Sequence, residues 1–144
     1  MAHRAKDIID AIKTVLTGLN TTGQDVKVSR AFPSGTFPNL TIYPGQNTIR
    51  QNLSNAIMIR ELVVRVAIQV NGNPDLLDDQ ILQIEAEIWR AIMADTTLGL
   101  NFIDDIDPLG LGEPDLSNGD EVPTAVVESS WRVVYRHSVS DPES

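Results

Sequence analysis

From Ala5 to Leu19 the apolar residues Ile8, Ile9, Ile12, Val15, Leu16 and Leu19 recur at three- and four-residue spacing, with Lys6, Asp10, Lys13 and Thr17 between them. That period predicts an amphipathic helix with one buried stripe. The helix is expected to stop between Gly18 and Gly23, where Asn20, Thr21 and Thr22 supply turn and capping chemistry and glycine accepts positive φ. The period then shortens to two. Val26 to Arg30 alternates and is closed by Phe32-Pro33, and Leu40 to Tyr43 alternates between Pro38 and Pro44-Gly45, which predicts two short strands. Ser34 to Pro38 reads as the turn between them, and Gly45 to Asn55 as a polar loop whose only apolar residues are Ile49 and Leu53.

A longer strand follows. Leu62, Val64, Val66, Ile68 and Val70 share one face, and Glu61, Arg65 and Gln69 the other. Ile57 and Ile59 carry the opposite parity, so a bulge or turn near Arg60-Glu61 is expected, in a kinked strand or a hairpin. Asn71 to Pro74 ends the strand and opens a second helix, with Pro74 in its first turn and Asp75, Asp78 and Asp79 at the positive end of its dipole. Leu77, Ile81, Ile84, Ile88 and Ile92 form its buried stripe, Gln80, Gln83, Glu87 and Arg90 its outer face, and it ends near Asp95. Thr96 to Pro123 is rich in Gly, Pro and Asp and allows one irregular strand through Phe102, Ile103, Ile106, Leu109 and Leu111. Val127, Trp131, Val133 and Tyr135 alternate with Glu128, Ser130, Arg132 and Arg136 in a closing strand, before the polar tail from Ser140 to Ser144.

This order predicts an α+β fold in one domain over residues 1–144: a mostly antiparallel sheet of four to five strands with two helices packed on one face. The other sheet face would carry Arg65, Gln69, Arg132 and Arg136, open to solvent or to another subunit.

Composition narrows what such a domain can do. Without cysteine, neither a disulfide framework nor a thiolate zinc site nor a cysteine nucleophile is available. The start, Met1 to Asp7, lacks the apolar core and cleavage site of a secretory signal, and no apolar run approaches the roughly 18 residues of a membrane span. Twenty acidic against eleven basic side chains leave a net charge of -9, which repels duplex phosphates and argues against sequence-specific DNA binding.

Catalytic patterns are missing. The two histidines, His3 and His137, fall near the chain ends, with His137 expected to be exposed at a strand end, so no nucleophile–base pairing is expected. Carboxylates cluster at Asp78/Asp79, Asp104/Asp105/Asp107 and Asp120/Glu121, raising acid/base work or a hard-cation site. They read as solvated turns, because the stretch from Asp115 to Glu121 places Gly119 one position early for a calcium loop. Gly110-Leu111-Gly112 lacks both the Lys-Ser/Thr of a phosphate loop and the helix of a dinucleotide site. Arg60, Arg65, Arg132 and Arg136 are expected to pair with carboxylates, at the surface or across a subunit contact. No catalytic residue, metal ligand or cofactor site is therefore assigned.

Several segments in order resemble the lambda-type tail terminator family of tailed phages. Asp7 to Lys13 is similar to the family's first helix, and Phe37-Pro38-Asn39-Leu40-Thr41-Ile42-Tyr43 to its second strand. Arg60 to Val70, followed by Asp75-Leu76-Leu77-Asp78, resembles the strand leading into an acidic second helix. Asp95-Thr96-Thr97-Leu98-Gly99 resembles the turn after that helix, and Trp131 to Tyr135 with Ser140-Asp141-Pro142 the closing strand and tail. The resemblance implies a homo-hexameric ring, made in the host cytoplasm and located in the virion at the neck end of the tail. It would bind the last ring of tail tube protein, stop polymerisation and present the surface that joins head–tail connector proteins, with DNA passing through the lumen without specific binding. No reaction and no membrane are implied.

Ile49, Arg50, Leu53, Arg60 and Arg65 are the candidates for subunit or tail-tube contact. Two alternatives remain open: a head–tail connector or other tail-completion subunit, and, from another class, a small acidic ligand- or cation-binding domain using Asp104 to Glu121.

Overall fold

The computed structural model describes residues 3–23, 26–28, 37–53, 56–117 and 124–143. The chain runs α1 (Arg4–Leu16), β1 (Val26–Val28), β2 (Asn39–Leu53), β3 (Ile57–Asn71), α2 (Pro74–Met93), β4 (Ile103–Leu111), β5 (Asp115–Ser117) and β6 (Thr124–Ser138). The six strands form one sheet in the order β1-β2-β3-β6-β4, with β5 also pairing with β6. Only the β1–β2 pair is parallel.

The alternation read from the sequence determines what each strand buries. In β3, Leu62, Val64, Val66, Ile68 and Val70 are buried, and they are opposite Val133, Trp131, Ser129, Val127 and Ala125 of β6. Leu40 and Ile42 of β2 continue the same rows. These residues form one hydrophobic cluster with Ile8, Ile9, Ile12 and Leu16 of α1 and Leu77, Ile81, Ile84, Ile88 and Ile92 of α2. Each fully buried side chain of this size contributes about 1.5–3 kcal/mol. Trp131 is the largest of them, and its indole N–H is satisfied by Ser129 Oγ at 3.0 Å, which removes the cost of burying an unmatched donor.

Both helices begin with side-chain caps. The Ala5 amide donates to His3 Nδ1 and the Asp75 amide to Asn73 Oδ1, each at 3.0 Å. Thus His3 is not a loose end but the residue that caps α1. The first helix stops at Leu16, three residues before Leu19, because Thr17 turns extended and Gly18 takes φ 95°. Gly18 and Gly23 then close a tight turn, Gly18 N–H donating to Gly23 O at 2.7 Å. Leu19 nevertheless packs against the core from that turn. After α2, the Thr97 amide and hydroxyl both bond Asp95 Oδ1, and Leu98 with Gly99 occupies the left-handed region, shaping the turn before Phe102.

Four expectations are corrected. The polar stretch from Gly45 is strand, not loop, as far as Leu53: β2 continues to pair with β3 down to Leu53↔Ile57. It reads as polar because its side chains from residue 46 to residue 50 are exposed, and backbone pairing alone suffices to hold it as strand. Second, β3 carries no bulge opposite β6, with which it pairs without a break from Ile57 to Asn71. The irregularities fall on β2, between Pro44 and Asn47 and between Ile49 and Gln51, and a Cβ at Gly45 would approach Val63 Cγ1 to 3.2 Å. In that unbroken ladder Ile57 and Ile59 simply lie on the face opposite Leu62 and Val64.

Third, the sheet has six strands rather than four to five, since the section after α2 yields β4 and β5, both paired with β6. Gly112 N–H donates to Glu128 O at 2.9 Å between them, so they act as one interrupted edge. Fourth, Gln69 is buried rather than open to solvent, because Asn39 of β2 and Val126 of β6 flank it. Residues 29–36, 54–55 and 118–123, which include the end of the first expected strand, most of its turn, the end of the polar stretch, and Asp120/Glu121, lie outside the described residues.

Two leucine-sized residues of α2 test this burial assignment. Ile84→Ala should cost about 2–5 kcal/mol in urea unfolding, because Ile84 is fully buried, whereas Leu82, 57% exposed, should lose less than about 0.5 kcal/mol on replacement by Ala. Equal costs would refute the assignment.

Candidate functional site

The far half of the β2–β3 hairpin holds most of the contact candidates. Asn47, Thr48, Ile49 and Arg50 are exposed, Ile49 by 62%. Ile49 lies directly opposite Arg60, which in turn faces Tyr135 of β6, and Tyr135 faces Ile103 of β4. These four residues therefore make one row across the sheet. Arg50 is the extra residue of the bulge beside that row, and its Nε lies 3.4 Å from Glu61 Oε1. Leu53 pairs through its backbone with Ile57, near the hairpin end. Ile49, Arg50, Leu53 and Arg60 are thus brought to one end of the hairpin. Arg65 is not: it is five residues further along β3, on the other face from Arg60.

Arg65 belongs instead to a row of charge pairs on the sheet face opposite the core. Its Nη1 lies 3.6 Å from Glu128 Oε2 and donates to Ser130 Oγ at 3.2 Å, while the Tyr43 hydroxyl donates to the same carboxylate. Arg132 Nη2 bonds Asp107 Oδ2 at 2.6 Å, which raises that guanidinium above its ordinary value. Arg136 pairs with Asp104 and donates to Asn101 O at 2.8 Å. Half-exposed pairs of this kind are worth about 0–1 kcal/mol each, so they contribute little stability. What they do is cancel the positive face, leaving Arg65, Arg132 and Arg136 no unneutralised stripe for a polyanion.

Two polar groups are placed differently from the sequence reading. Glu87, expected on the outer face of α2, is buried and accepts bonds from the Thr21 amide at 2.9 Å, the Thr21 hydroxyl and Gln83 Nε2 at 3.0 Å. Burial pushes its carboxyl up, but the Thr21 and Gln83 bonds and the charge of Arg90 outweigh this and hold it below the usual carboxylate range. Its margin position, three residues after Ile84, was the only hint. His137 is also buried, not exposed, because β6 runs on to Ser138 and sets the imidazole beside Met58 and 6.2 Å from the Tyr135 ring.

The acidic segment offers no convergent ligand set. Asp104 and Asp107 are engaged by arginines, and Asp105 Oδ1 accepts from the Ile106 amide at 2.9 Å. Among the described residues no group of three or more His, Asp or Glu side chains could hold a metal ion, and no helix is long and apolar enough to cross a membrane. A surface hollow of about 340 Å³ beside Arg65, Leu109 and Ser130 contains a hydroxyl but no histidine to activate it. No protein-family model matches the chain, and no curated protein matches it.

The Glu87 contact makes a pH prediction. A carboxyl held below its ordinary value stabilises the fold above the unfolded pKa, about 4.3, and loses that contribution as pH falls through the folded value. Glu87→Gln should therefore cost about 1 kcal/mol near neutral pH, and the gap to the unaltered protein should close toward pH 3 in urea titrations. A gap that stays constant with pH would show that the charge is not what matters.

Proposed function

We propose that this chain is a ring-forming assembly protein of a tailed phage, acting as a tail terminator at the neck end of the tail. In this reading six copies close a ring in which the two helices of each cover one sheet face. The ring binds the last ring of tail tube protein, stops its growth and offers its other side to head–tail connector proteins. The chain catalyses no reaction; it is made in the host cytoplasm and functions in the virion.

The observation that carries this reading is where the exposed groups lie. The strand end from Asn47 to Arg50 is exposed on a paired backbone ladder, with Ile49 open to solvent, while the charges of the sheet face are paired off within the chain. Surfaces of this type suit protein contact, since an ordered strand loses little conformational entropy on docking. The net charge of -9 supports a lumen that repels DNA rather than gripping it. The order of sequence segments shared with the terminator family supplies the specific role, and a connector ring remains the nearest competitor.

Light scattering coupled to gel filtration, with the protein alone and mixed with short tail-tube assemblies, tests the proposal. A hexamer-sized particle, or a monomer recruited to tube ends with tube growth arrested, is the expected result. A species that neither multimerises nor alters tube length would remove the terminator reading in favour of a connector or ligand-binding role.

A further inference from the structure

The second helix carries an apolar line on the side where a surface helix is ordinarily polar. Its buried stripe, Leu77, Ile81, Ile84, Ile88 and Ile92, already belongs to the core. On the outward side Leu82, Trp89 and Met93 are 57%, 41% and 39% exposed, and the small residue Ala86 lies between Leu82 and Trp89. These positions follow one another at three- and four-residue steps, so they form one continuous line along α2. One stripe is enough to seat a helix on a core. The second leaves apolar surface in water, at about 25 cal/mol for each Å² that a partner would cover.

The polar groups beside this line repeat when the helix is turned end for end. Asp78 and Trp89 lie on one flank, Asp79 and Arg90 on the other, and the members of each pair stand about three helical turns apart. Both pairs, and Leu82 with Ala86, are centred close to Ile84. Among the described residues no hydrogen bond or ion pair engages the side chains of Asp78, Asp79 or Arg90, or the indole N–H of Trp89. The charge of Arg90 reaches Glu87, but that carboxylate is held by Thr21 and Gln83.

We propose that α2 pairs with α2 of a second copy, antiparallel about a two-fold axis level with Ile84. Such an axis sets each flank against its own reverse. Arg90 of one copy then meets Asp79 of the other, the Trp89 indole N–H meets the other's Asp78, and Leu82 packs on the other's Ala86. Each contact is made twice, because the interface is isologous. Ala86 lets the helix axes approach to the roughly 8–10 Å of packed helices. Glu85 lies further round the helix, at the rim, where water screens its charge. A second copy is the occupant because a helix with the same groups in reverse order satisfies both flanks at once. The face is one helix wide, at the small end of specific interfaces, below about 1,200 Å² in total, so the pair forms as concentration rises. It uses neither the hairpin end nor the arginines of the sheet face, and it stands apart from the ring reading.

Sedimentation equilibrium of the full chain, from micromolar to millimolar concentration, tests the pairing. The unaltered protein should pass from monomer to dimer. Arg90→Glu and Asp79→Arg each set like charges across both contacts, and each alone should pair roughly tenfold more weakly. Mixed together, the two variants complement each other and should pair at least as tightly as the unaltered protein; a chain carrying both changes should recover as well. Within one copy residues 79 and 90 are roughly 16 Å apart along the helix, so rescue can arise only between copies. Leu82→Glu should abolish pairing without moving the melting temperature. A particle whose mass ignores these variants, a mixture that pairs no better than either variant alone, or a monomer at every concentration would each overturn the contact between the α2 helices.

Discussion

The unbroken antiparallel ladder between β3 and β6 is the constraint on which the rest of the molecule depends. It pairs every residue from Ile57 to Asn71 with a partner from Ser138 to Thr124, and a strand pair of that length fixes parity along its whole course. Because a one-residue slip would turn every inward side chain outward, Leu62 to Val70 and Ala125 to Tyr135 hold each other in register. The other strands attach to this pair, β2 along β3 and β4 with β5 along β6. The stripes of α1 and α2 complete the apolar cluster on it.

The same ladder explains why charge and hydrophobicity separate so cleanly. Toward its far end Met58, Ile59 and Arg60 are part-buried, and Ile49, the β2 partner of Arg60, is exposed. On the face opposite the core, arginines of β3 and β6 meet carboxylates of β4 and β6 at salt-bridge distance. Water screens such pairs and their net stabilisation is small, yet they neutralise the arginines of that face.

Much of this was readable from spacing. The helical periods around Ile12 and Ile84, the alternation through Val66 and Val133, and the start of the second helix at Pro74 each depend on neighbours a few residues away, and the structure retains them. Of the residues expected to make contacts, Ile49, Arg50, Leu53 and Arg60 lie at one hairpin end and Arg65 on the other sheet face, a placement set by strand pairing rather than by local spacing. The second half of β2 was misread because its polarity resembles a loop, when the ladder with Glu61, Arg60 and Ile59 is what makes it a strand. Glu87 was misread for the opposite reason, since its burial depends on Thr21, sixty-six residues away.

By itself the sequence determined the two helices, the strands that line the core, the identity of most core residues, the absence of cysteine chemistry and the sign of the net charge, because each follows from composition or from local period. Only the tertiary structure decided the strand order, the position of the bulges on β2 rather than β3, and the burial of Glu87 and His137. Those are properties of residues far apart in the chain, and backbone pairing between strands leaves no local pattern in the residues that take part.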